Sequence, residues 1–128
     1  MGERVLTGTH QAIGRYLDAL NAHDADAVAA CVTEDFVNEH TSALGRSVTG
    51  RASYRAALTG FLADFADLRY EVEDLLVDGE RAAVAYTMTF RRGGAPERVR
   101  GVFRFRVAAD GLIAHRVDYW DSGQLSRG

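Results

Sequence analysis

RYEVEDLLVDGERAAVAYTMTF, residues 69–90, decides the fold. Polar and apolar residues alternate over 69–77, the chain reverses at Asp78-Gly79, and 81–91 alternate again, with Val84, Tyr86, Met88 and Phe90 on one face. A period of two marks strands, since successive side chains point to opposite sides. Asp-Gly favours a tight hairpin because both central positions accept positive φ. Downstream the pattern repeats: Gly93-Gly94 turns the chain into a strand over 97–108, and Asp110-Gly111 turns it into a last strand, LIAHRVDYW, over 112–120. In the strand 97–108, Val99, Gly101, Phe103, Phe105 and Val107 alternate with Arg98, Arg100, Arg104 and Arg106, so the arginines face outward. The second half of the chain is thus a four-stranded antiparallel meander.

Upstream the period changes to that of helices. Residues 9–22 place Ile13, Tyr16, Leu17 and Leu20 on one face, with Thr9 as the expected cap. Asp24 caps a second short helix, DADAVAACV. A third helix, from about Ala52 to Phe65, carries the stripe Tyr54, Leu58, Phe61, Leu62 and Phe65. The loop ALGRSVTG, 43–50, precedes it. Helices gathered at one end and strands at the other indicate an α+β fold with the helices on one sheet face. A long twisted sheet closed on one side by helices makes a cone with a central cavity, of a size suited to a small molecule.

The 128 residues suit one domain, 1–128, with one core. Net charge of −3, with an isoelectric point near 5.8, gives no reason to expect nucleic acid or an anionic membrane as partner. The apolar runs are too short for a membrane span, and MGERVLTGTH lacks the apolar core of an export signal, so a cytoplasmic location is expected. The one cysteine, Cys31, cannot form an internal disulfide. His10, His23, His40 and His115 show no metal-ligand spacing, so no metal or other cofactor is expected.

FVNEHT, 36–41, reads as a short strand with Phe36, Asn38 and His40 on one face. That face is apolar at one end yet carries an amide and an imidazole. Burying an unpaired polar group costs about 1–3 kcal/mol, so two at one place need each other, water or a ligand. In the last strand Arg116, Asp118 and Trp120 likewise share a face.

RYLDALNAHDADAVAACVTEDF (15–36), TGRASYRAAL (49–58), VFRF (102–105) and HRVDYWD (115–121) together resemble the nuclear transport factor 2-like superfamily. That superfamily includes ketosteroid isomerases, SnoaL-type polyketide cyclases and limonene epoxide hydrolases. The resemblance implies a cystatin-like roll: three N-terminal helices on a strongly curved, mostly antiparallel sheet. It also implies homodimers. Set against the isomerases, Tyr16 matches their helix Tyr, His40 stands where the proton-shuttling Asp would be, and Gly101 stands where an oxyanion-binding Asp would be. Gly101→Asp would on that mapping restore the missing donor. Set against the epoxide hydrolases, whose early strand carries Tyr-x-Asn-x-Pro, Phe36 stands at the Tyr position, Asn38 and the late-strand Asp118 match, but VAYTMTF (84–90) lacks the Arg-x-Asp pair that activates water. The cyclases imply a late-strand Asp assisted by a His.

The resemblance turns the Asp118 face inward, where Asp118 would orient one nitrogen of His40 and leave the other free to take a proton from a ligand carbon. The expectation is a cofactor-free protein acting on a small apolar oxygenated molecule by acid–base isomerisation or aldol-type cyclisation next to a carbonyl. His40 is the expected base, Asp118 its partner or the acid, and Tyr16 with Asn38 the donors to a developing oxyanion. Phe36, Trp120, Tyr86, Met88, Phe61, Phe103 and Gly101 are expected around the ligand, and Arg116 is expected there too, first to neutralise Asp118 and, as the alternative, to receive an acidic ligand. The alternatives are a non-catalytic ligand-binding or dimeric accessory domain and, third, epoxide hydrolysis.

Overall fold

Glycines at positive φ set the hairpins of this chain, whose computed structural model describes residues 8–42 and 46–126. Gly79 (φ 60°) closes the turn between β3 (Ala66–Asp78) and β4 (Arg81–Arg92). Gly93 and Gly94 close the next, into β5 (Ala95–Val107), and Gly111 precedes β6 (Ile113–Trp120). The meander read from the sequence is therefore present, with every strand end within three residues of the expected one. Its inward face carries Val84, Tyr86, Met88 and Phe90 from β4 and Val99, Phe103, Phe105 and Val107 from β5, all buried. Arg98, Arg100, Arg104 and Arg106 lie on the exposed face, where Arg100 pairs with Glu73 at 2.6 Å.

The helices are α1 (Gly8–Asn21), α2 (Ala25–Ala30) and α3 (Arg51–Asp64). Ile13, Tyr16, Leu17 and Leu20 form the buried stripe of α1. Asp24 caps α2, its Oδ1 accepting from the Ala27 amide at 3.0 Å. Thr9 does not cap α1. It lies within the helix, and its hydroxyl donates to the Gly79 carbonyl at 2.7 Å, pinning the helix to the β3–β4 turn. The expected loop 43–50 includes a two-residue strand, β2 (Val48–Thr49), and its residues 43–45 lie outside the described residues.

The early strand is longer than expected. β1 runs from Val32 to His40, because the polar run Thr33–Asp35 continues in extended form along the sheet. The sheet order is β2-β1-β6-β5-β4-β3. Every neighbouring pair is antiparallel except β1 and β6, which run parallel. The sheet is curved but does not close: β2 and β3 remain edges, so the expected cone is open-sided. The parallel pairing positions the site, since it sets Asn38 beside Arg116 and His40 beside Asp118.

Candidate functional site

Two strands that meet only in the tertiary structure supply four polar side chains to the concave face. Asn38, Arg116 and Asp118 are all at least 95% buried. The Arg116 guanidinium donates from Nε to Asn38 Oδ1 at 2.8 Å and from a terminal nitrogen to His40 Nε2 at 3.2 Å. Asn38 Nδ2 also faces His40 Nε2, at 3.3 Å. Guanidinium and amide nitrogens can only donate, so His40 Nε2 is the acceptor of both and the ring proton sits on Nδ1. Nδ1 points toward Asp118 Oδ2 at 3.5 Å, too long for a hydrogen bond, and is a buried polar atom with no partner. The expected pairing of His40 with Asp118 is thus a close approach. The nitrogen expected to be free for chemistry is instead held by Arg116 and Asn38.

These contacts fix the electrostatics. Burial, then the Arg116 charge, lowers the His40 pKa to about 4. The imidazole is neutral at physiological pH. Asp118 moves the other way: burial raises it, against the lowering effects of Arg116 and of the Tyr86 hydrogen bond. Arg116 stays cationic. Burial opposes its charge, but the surrounding Tyr16, Tyr54 and Asp118 favour it. Its guanidinium lies 4.7 Å from the centre of the Phe103 ring, in cation–π contact.

Titration of the histidine provides a direct check. Nitrogen NMR should find His40 as the Nδ1–H tautomer, protonating with a midpoint near pH 4. Because this folded pKa lies below the unfolded value of about 6.5, its contribution to stability is intact above that value. It is lost as pH falls from there through about 4, at most about 3 kcal/mol. Asp118, with its raised pKa, acts in the opposite sense over its own range. The imidazole signal separates the two. A His40 midpoint above 6 would contradict the arrangement.

Asp118 Oδ1 accepts from the Tyr86 hydroxyl at 2.5 Å. This reach depends on Gly101, the residue opposite Tyr86 in the ladder. A Cβ at position 101 would lie 2.4 Å from Tyr86 Oη and 2.8 Å from the Tyr119 carbonyl oxygen. The place where an Asp at 101 was expected to restore an oxyanion donor is therefore filled by the Tyr86 phenol, and Gly101→Asp would displace it.

Between α3 and the concave sheet face lies a pocket of about 430 Å³. Of the residues expected around a ligand, Asn38, His40, Phe61, Met88, Arg116, Asp118 and Trp120 line it. Phe36, Tyr86, Gly101 and Phe103 do not. They pack behind the wall, with Phe36 against Tyr54 at 4.8 Å and Phe103 on Tyr86 at 4.4 Å between ring centres. Tyr16 also stands behind it, fully buried, its hydroxyl bonded to that of Tyr54 at 2.5 Å. Tyr54 and Tyr70 are among the wall residues that sequence reasoning missed. Tyr54 was legible only as part of an apolar stripe, and Tyr70 only as one position of an alternating strand. A second hollow, about 440 Å³, lies against β3–β6 and is lined by Arg81, Arg104, Arg106 and His115 with Leu76. It contains no buried unpaired polar atom, whereas the first contains His40 Nδ1. Among the described residues no group of His, Cys, Asp and Glu could hold a metal, and no helix is long and apolar enough to cross a membrane.

The profile of the SnoaL-like domain matches residues 13–116. No curated protein matches the sequence. Among solved structures, RV0760c from Mycobacterium tuberculosis superposes with a TM-score of 0.86 at 22% identity, covering 98% of this chain and 100% of its own. That protein has also been crystallised with estradiol-17beta-hemisuccinate. A limonene epoxide hydrolase-like enzyme of the same organism superposes at 0.80 with 21% identity, over 92% of this chain and 86% of its own. A candidate ketosteroid isomerase from Kribbella flavida is 30% identical, with a TM-score of 0.73 over 94% of this chain and 83% of its own.

Proposed function

The chain belongs to the SnoaL-like domain family, within the nuclear transport factor 2-like superfamily, and from that premise we propose that its pocket performs cofactor-free proton transfer next to a carbonyl of an apolar small molecule. The outcome is isomerisation or aldol-type ring closure. The reading is supported by a wall that is mainly apolar, with Leu20, Val48, Leu58, Phe61, Phe65, Met88 and Trp120, and by the cluster of Asn38, His40, Arg116 and Asp118 that β1 and β6 present to it. The pocket volume suits a ligand at the small end of the usual range.

The observation that carries the proposal is the asymmetry between the two candidate bases. His40 Nε2 accepts from two donors and the ring resists protonation, so the imidazole is a poor base. Asp118 has one oxygen held by Tyr86 and is made more basic by burial. Asp118 is therefore the proton acceptor in this reading, and His40, neutral, presents Nδ1–H beside it. Proton transfer breaks a carbon–hydrogen bond of the ligand. The proton moves to Asp118, and the electron pair remains on the ligand as an enolate until the proton is returned at another atom. Homologous proteins named as cyclase, epoxide hydrolase and isomerase-like are compatible with such a pocket.

The test uses cyclic enones and 1,3-dicarbonyl compounds in deuterated water. Protein-dependent deuterium incorporation at the carbon next to the carbonyl is the expected result, read by NMR. Trp120 is the only tryptophan in the chain and lines the pocket, so its emission reports binding in the same samples. A Trp120 response with no exchange across the panel would replace the catalytic reading with a binding one.

A further inference from the structure

Tyr86 and Asp118 belong to strands that are not neighbours. β5 lies between β4 and β6, so the two backbones are separated by two strand spacings, about 9.5 Å. A tyrosine spans such a gap only by lying across the strand between, and the residue it crosses must have no side chain. Gly101 is that residue, opposite Tyr86 on one side and Trp120 on the other. The phenol is held from above and beside: its ring stacks on Phe103 at 4.4 Å with a 31° tilt and meets Tyr70 edge-on at 5.1 Å. Tyr86 is 1% exposed and does not line the pocket, so it does not touch a ligand.

We infer that Tyr86 is a positioning residue: by holding Oδ1 of Asp118 across the Gly101 gap, it leaves Oδ2 as the oxygen that exchanges a proton with a ligand. The inference rests on the reading of Asp118 as the proton acceptor. A carboxylate free to rotate offers either oxygen in a range of directions. One anchored at Oδ1 offers a single oxygen in a single direction, and orientation of that kind contributes to rate. Burial keeps the Tyr86 phenol protonated, so it donates throughout the physiological range. The other titratable or charged groups around the carboxylate are His40 from β1, Tyr54 from α3, Tyr70 from β3 and Arg116 from β6. Arg116 is the only cation among them at neutral pH. Of the neutral groups among the described residues, the Tyr86 hydroxyl is the one within hydrogen-bond distance of the carboxylate.

The experiment follows the carboxyl carbon of Asp118 by NMR through a pH titration of the protein without ligand. Tyr86→Phe removes a donor that favours the ionised form, so the Asp118 midpoint should rise by about one unit. Gly101→Ala keeps the phenol but pushes it aside, and should raise the midpoint in the same direction. Midpoints within about 0.2 unit of wild type in both variants would overturn the inference, since a purely structural tyrosine would lower stability without moving the titration. Where Tyr86→Phe does not fold, Gly101→Ala decides alone. Because this titration contains no substrate, its failure defeats the positioning role, while absence of deuterium exchange in the wild-type protein defeats the reading of the site.

Discussion

Asp118→Asn is expected to lower deuterium exchange by about 10²- to 10⁴-fold, the usual contribution of a positioned general base. Asparagine keeps the shape of the side chain, and its carbonyl oxygen can still accept from Tyr86. What it loses is the capacity to take a proton at the oxygen that faces His40 Nδ1. Binding read from Trp120 emission should change far less than turnover, because the wall that surrounds an apolar ligand is untouched. Initial exchange rates and binding titrations on the same protein separate the two effects. If the variant exchanged deuterium at the wild-type rate, the base would have to be sought elsewhere. His40 would be the poorer choice, since protonating its ring would bring a second positive charge against Arg116.

Arg116→Leu carries the largest expected effect on stability. The guanidinium is 3% exposed and satisfies Asn38 Oδ1 and His40 Nε2, and its charge offsets the buried carboxylate two residues away on the same strand face. Leucine fills part of the space but leaves the Asn38 amide oxygen without its donor, the His40 ring nitrogen with the Asn38 amide alone, and a buried anion without compensation. Removing one member of a buried charge pair typically destabilises by about 3–5 kcal/mol, a large part of the roughly 5–15 kcal/mol that holds a domain folded. Urea denaturation should show the midpoint falling sharply. Adding Asp118→Asn to the leucine variant removes the uncompensated charge, so the double variant should recover part of the loss. A loss under about 1 kcal/mol for Arg116→Leu, or strict additivity in the pair, would mean that the two charges do not support one another.

The elements of the fold were legible because they depend on local chemistry. Asp78-Gly79 and Gly93-Gly94 punctuate strands whose alternation is set by one buried face, and Ile13, Tyr16, Leu17 and Leu20 repeat at helical spacing. The inward direction of Asn38, His40 and Asp118 was also accessible, through strand parity and family resemblance. What local pattern does not contain is the partner of each side chain. Nothing near FVNEHT states that β1 runs parallel to β6, so the capture of His40 Nε2 by Arg116 could not be read from either strand alone. The sequence places Tyr16 on the buried face of α1, but its hydroxyl partner, Tyr54, belongs to another helix. Gly101 read as a missing carboxylate. Its actual contribution, making room for a phenol from one strand to reach a carboxylate on another, appears only when three strands lie side by side.

The contacts from Arg116 to Asn38 and His40 join residues 78 and 76 positions apart. Closing chain loops of that size loses conformational entropy before any packing compensates, and high contact order slows folding toward the millisecond-to-second range. The meander and the helices can organise from near neighbours, whereas the pocket floor exists only after the first and last strands have docked. A refolding intermediate with a well-formed β3–β4–β5 hairpin array would thus be chemically blind, with an undivided imidazole and a solvated carboxylate. Recovery of activity would then lag behind recovery of secondary structure.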